Sequence, residues 1–108
     1  KLGQIWKYNI KENYVELFFE SENKDTMEFC DNLTVTPWGD IIICEDGKGM
    51  DRLIGIRQDG STYILAENIL NNSEFAGANF SPDGTILFVN IFSPTKTIAI
   101  TGPWDKLA

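Results

Sequence analysis

Thr36-Pro37-Trp38-Gly39-Asp40-Ile41-Ile42-Ile43 returns 45 residues later as Ser81-Pro82-Asp83-Gly84-Thr85-Ile86-Leu87-Phe88. Each copy runs small hydroxyl, Pro, variable residue, Gly, and stands between two apolar runs. Pro presets φ early in a tight turn and Gly accepts a positive φ at its end, so both copies are turn signals. A period in the 40s with only strand-like sequence between the copies marks a β-propeller blade, a four-stranded antiparallel sheet. Propellers close with about four to eight blades. The 108 residues have room for little more than two, so the chain reads as a piece of a larger protein.

Outward from these turns, short runs rich in β-branched and aromatic residues alternate with Gly, Asn, Asp and Pro. The pattern predicts a hairpin from Gln4–Ile10 and Tyr14–Ser21 around Lys11-Glu12-Asn13. It then predicts strands at Leu33–Thr36 and Asp40–Glu45, the second apolar on both faces, as a strand buried between sheets would be. Leu53–Arg57 and Thr62–Ala66 flank Asp59-Gly60, a strong hairpin turn. The cycle restarts with Ala78–Ser81, Ile86–Ile91 and Thr97–Thr101, after a looser stretch at 68–77 that reads as loop. The fold class is all-β: a β-propeller fragment of about one complete four-stranded blade plus two partial blades. Residues 1–21 are the outer half of one blade, 31–68 a complete blade and 76–102 most of the next. Each blade buries its faces against two neighbours, so the fragment leaves two faces bare. The expectation is a homo-oligomer through those exposed faces.

Sixteen acidic residues against nine basic ones give a net charge of -7. Phosphate backbones need a Lys/Arg surface, so nucleic acid is excluded as a partner. The absence of His rules out imidazole metal ligands, a His general base and a Ser-His-Asp triad within these residues. No run of about 18 apolar residues is present, so no membrane-spanning helix is expected. Cys30 and Cys44 lack CxxC spacing; they leave both a disulfide and free thiols open, and with them the compartment.

The chemistry is expected where loops enter the first strand and leave the second strand of a blade. Asp31-Asn32 precedes one such strand and Glu45-Asp46 follows the next. The strand-turn-strand between them folds back, so Asp31, Asn32 and Glu45 should meet at one end. Oxygen ligands converging there suit a hard cation such as Ca2+, although Asp and Asn are also ordinary loop residues. In the second copy Ala76 replaces Asp31 and Asn90 replaces Glu45, leaving Glu74 as the nearest carboxylate to the equivalent rim. Asp46–Asp51 lacks the Gly and the Glu of an EF-hand, and no helix follows Gly47-Lys48-Gly49 to make a phosphate loop. Arg52 is expected to pair with Asp46 or Asp51, a phosphate-facing role being the alternative. Trp6, Trp38 and Trp104 are read as packing residues.

Taken together, Asp31-Asn32-Leu33-Thr34-Val35-Thr36-Pro37-Trp38-Gly39-Asp40, Cys44-Glu45-Asp46-Gly47, Arg52-Leu53, Asn72-Ser73-Glu74-Phe75-Ala76-Gly77-Ala78, Phe80 through Ile91 and Ile100-Thr101-Gly102-Pro103-Trp104 resemble the C-terminal part of the PhoX-type alkaline phosphatases. The resemblance spans nearly the whole chain. It implies a periplasmic or extracellular parent whose propeller carries iron and calcium at one end of its channel and hydrolyses phosphate monoesters. Asp31, Glu45 and Glu74 fall where the family motif places calcium-site carboxylates, with Asn32 a weaker match. The family's iron-binding Cys does not correspond to Cys30 or Cys44. On this reading the isolated chain holds calcium at most and is inactive by itself. A non-catalytic propeller acting as a binding or scaffold module is the alternative.

Overall fold

The computed structural model describes residues 2–108 and contains nine strands in three antiparallel sheets. β1 (Gln4–Asn9) and β2 (Tyr14–Glu20) form a two-stranded sheet. β3 (Cys30–Val35), β4 (Ile41–Glu45), β5 (Arg52–Ile56) and β6 (Thr62–Glu67) form a four-stranded meander. β7 (Phe75–Phe80), β8 (Ile86–Ile91) and β9 (Lys96–Thr101) form the third sheet, followed by a short 3-10 turn at Trp104–Lys106. None of the sheets closes on itself. The 45-residue offset maps β3 onto β7, β4 onto β8 and β5 onto β9, so the sequence repeat is a structural repeat.

The central sheet is apolar on both faces because both are covered. Ile42, Cys44 and Leu53 pack with Phe75, Ala78, Leu87, Val89 and Ile91 of the third sheet. Ile43, Ile54 and Ile56 point the other way and join Ile5, Phe19 and Met27. Alternate residues of one strand thus serve two cores, which explains the unbroken Ile41-Ile42-Ile43-Cys44 run. Gly55, opposite Tyr63, leaves room for that ring: a Cβ there would stand 2.1 Å from the ring carbon Cζ.

The duplicated turns touch each other. Thr36 N–H donates to the Asp40 carbonyl at 2.8 Å, and Ser81 N–H donates to the Ile86 carbonyl at 2.8 Å. Gly84 has φ +73, and a Cβ would lie 2.8 Å from Pro37 Cγ, so the second turn needs glycine for its backbone and for its neighbour. Trp38 stacks on Trp104 with centroids 5.8 Å apart, and Phe80 meets both rings edge-on. Trp38 and Trp104 are therefore packing residues, whereas Trp6 is 57% exposed.

Two boundaries differ from the sequence reading by more than one residue. β3 and β7 each begin three residues earlier than expected. Their first halves (Cys30-Asp31-Asn32, Phe75-Ala76-Gly77) lack a run of β-branched or alternating apolar residues and read as loop, although Phe75 itself is buried in the core. Both still pair with the end of the next strand, through register irregularities at Cys30/Asn32 and Ala76/Asn79. The bulge recurs with the repeat, and in β3 it leaves Asp31 and Asn32 at the strand entrance. Cys30 and Cys44 are free thiols, and burial pushes the Cys44 thiol up to about 11.

Candidate metal centre

The register Cys30↔Glu45 brings the start of β3 beside the end of β4, and β7 lies alongside β3 with its start at the same end. Asp31 stands in β3, Asp46 directly after β4 and Glu74 directly before β7. One carboxylate oxygen from each lies within 4.8 Å of the other two. Asp31 and Asp46 are exposed, whereas Glu74 is half-buried and its Oε2 is shut off from solvent with no hydrogen-bond partner. A carboxylate oxygen out of water and without a donor is costly. Desolvation pushes the Glu74 carboxyl above its usual range, and the charges of Asp46, Asp31 and Asp51 push it the same way.

The residues singled out from sequence divide into two groups. Asp31 and Glu74 are brought together, and the third member is Asp46. Asn32 and Glu45 flank the cluster in structural roles. Asn32 Oδ1 accepts the Gly77 N–H at 2.9 Å, joining β3 to the equivalent position of β7. Glu45 is 2% exposed; its Oε2 accepts Arg52 Nε–H at 2.7 Å, and its Oε1 accepts Arg52 Nη2–H and Glu28 N–H, each at 2.7 Å. Arg52 also donates from Nη1 to the Asp25 carbonyl at 3.1 Å and from Nη2 to the Lys24 carbonyl at 2.6 Å. Its partner is therefore Glu45, in place of the expected Asp46 or Asp51. Strand pairing is the cause: one step beyond Cys44↔Leu53, Glu45 and Arg52 face each other across β4 and β5.

Spacing alone does not single out Asp46, because Glu45 is its neighbour and carries the same charge. Period-two alternation was the available signal, since adjacent residues at a strand end point opposite ways. An Arg facing Glu45 across the hairpin marks which of the two is spoken for. Asp51, 3% exposed, accepts the Gly47 N–H at 2.8 Å and so folds the turn that carries Asp46. Burial raises the Asp51 carboxyl, and nearby Asp46, Glu45 and Glu28 add to this against the Gly47 bond.

Three stacked antiparallel sheets with a rim of convergent carboxylates define an all-β protein whose candidate site is built from oxygen donors alone. Such a donor set selects hard cations over zinc or copper. The model of the family described as "Alkaline phosphatase PhoX" matches residues 2–95. The chain belongs to the PhoX alkaline phosphatase family. No match was found among curated proteins or among solved structures.

Proposed function

We propose that this chain is a segment of a β-propeller phosphatase, and that Asp31, Asp46 and Glu74 hold part of its calcium site. The single observation that carries the reading is the solvent-excluded, unpartnered Oε2 of Glu74 beside two further carboxylates in a chain of the PhoX family. The residues fit such an ion. The donors are all oxygens, come from separate elements and repel one another without a cation. The full-length enzyme would use calcium with iron held by other residues to hydrolyse phosphate monoesters, after export to the periplasm or the exterior. Divalent cations at such sites neutralise the charge on phosphate oxygens.

This chain's own residues bind and orient. Asp31 presents its carboxylate from the sheet, Asp46 from a turn folded by Asp51, and Glu74 from the loop before β7. The sheets supply the blades: β1–β2 an outer half, β3–β6 a whole blade, β7–β9 most of the next. Calcium takes about six to eight oxygen ligands, more than three carboxylates supply comfortably, so the isolated chain is expected to bind weakly and to be catalytically inactive. The bare face of β1–β2, with Trp6, Tyr8, Val15 and Leu17 exposed, would drive self-association. One observation favours a non-catalytic binding or scaffold module instead. Arg52 is bound to Glu45, and Arg57 follows β5 at the end away from the carboxylates, so neither guanidinium of this chain is free at the rim for a phosphate.

The test has two parts. Full-length protein should hydrolyse p-nitrophenyl phosphate and lose the activity to EGTA; an inert, metal-free protein supports the module instead. On the chain itself, calcium should raise the melting temperature, and Asp46→Asn or Glu74→Gln should each abolish the rise. An unchanged wild-type melting temperature at millimolar calcium rules out a site within this chain.

A further inference from the structure

We infer that Asn68 is the positioning residue of this centre: its buried amide shapes the loop that delivers Glu74 to Asp31 and Asp46. The inference rests on the metal reading above. Asn68 follows β6 directly and is 3% exposed. A buried amide is retained only where its donors and acceptor are used, and here all are. Oδ1 accepts the N–H groups of Leu70 at 3.0 Å and Asn71 at 3.4 Å. Nδ2 donates to Asn71 Oδ1 at 2.9 Å and to the Ser73 carbonyl at 2.7 Å.

That last bond is the important one, because the Ser73 carbonyl belongs to the peptide unit that leads into Glu74. The other flank is held from the turn after β8: Phe92 N–H donates to the Glu74 carbonyl at 3.0 Å, and Ser93 N–H to Ser73 Oγ at 2.7 Å. Glu74 is thus clamped between the third sheet and Asn68. Asn68 N–H also donates to the Asp51 carbonyl at 2.9 Å, and Asp51 folds the turn bearing Asp46. One residue therefore touches the supports of two of the three carboxylates. The repeat sharpens the point. Asn23, 45 residues earlier, closes the loop before β3 through the same acceptor role, with its Oδ1 taking Thr26 N–H at 2.9 Å. Asn68 adds the two donations, and only its loop carries a carboxylate of the cluster.

The two roles of the amide separate experimentally. Asn68→Asp keeps the acceptor that closes the loop, loses both donors and adds a negative charge that by itself would strengthen cation binding. Asn68→Ala loses everything. Terbium luminescence titrations on the folded chain should show affinity weakened by about 10–100-fold in Asn68→Asp, the range for residues that orient metal ligands, with at least as large a loss in Asn68→Ala. Asn68→Asp alone suffices if the alanine variant does not fold. Wild-type affinity in a folded Asn68→Asp overturns the assignment and leaves Asn68 a loop-closing residue like Asn23. If wild type itself shows no terbium binding, the metal reading fails, and the carboxyl-carbon NMR signal of Glu74 decides the positioning claim. Displacement of that signal in Asn68→Asp supports it, and an unmoved signal overturns it.

Discussion

Replacing Arg52 by Met should be among the most damaging single changes in this protein. Arg52 and Glu45 form a bidentate pair, and both are largely buried, with 15% and 3% of their side chains exposed. The substitution strands Glu45 with one remaining donor, the Glu28 N–H. It also frees the carbonyls of Lys24 and Asp25, which Arg52 holds 28 and 27 residues away in sequence. Removing one partner of a buried pair typically costs about 3–5 kcal/mol, because the survivor is left uncompensated. For a domain of this size that is roughly 15 °C or more in melting temperature. Thermal melts followed by circular dichroism, in EGTA, measure it. The double variant Glu45→Met/Arg52→Met should recover most of the loss, since no charge is then left buried. It should also keep wild-type terbium affinity to within about threefold, a factor worth under 1 kcal/mol. A loss below about 1 kcal/mol for the single variant, the level of an exposed pair, would refute the claim that the pair is desolvated. Abolished terbium binding in a folded double variant would return Glu45 to the ligand set.

The Glu74 carboxyl titrates above its ordinary 4.5 in the folded chain, so its favourable contribution is fully present below that value and is lost as pH rises through the raised one. Glu74→Gln should therefore be more stable than wild type at pH 7 without calcium, with the advantage vanishing near pH 4; melts across that range in EGTA check it, and a constant offset would contradict it. Gly55→Ala should destabilise by about 1–3 kcal/mol or more, as overpacking does, because Tyr63 must leave its place above β5; urea unfolding reads this out. Trp104→Ala removes two ring contacts and the indole N–H bond to the Thr85 carbonyl at 2.8 Å. A loss of about 2–4 kcal/mol is expected, seen as a lowered urea midpoint, with terbium affinity unchanged because the ring cluster lies at the turns and not at the acidic rim.

The sequence determined the number and order of the strands by itself, because period-two patterning, Pro-x-Gly turns and a 45-residue repeat are local signals that burial does not need to interpret. Even the double-sided burial of β4 was legible in Ile41-Ile42-Ile43-Cys44. Composition narrowed the donors: His is absent, and the candidate cluster is made of Asp and Glu, so its donors are oxygens. The membership of the acidic cluster was decided only by tertiary structure. Glu45 and Asp46 are adjacent and alike in charge, and their fates diverge because β4 pairs with β5 in a register that sets Arg52 against Glu45 and leaves Asp46 at the rim. The strand entrances at Cys30 and Phe75 were hidden for a related reason. Neither stretch carries an alternating apolar pattern, and only pairing with the end of the next strand, through a bulge, makes them extended. Asn68 is the extreme case: as one Asn in a polar loop it carries no signal, and its importance lies in which carbonyls the fold places within reach of its amide.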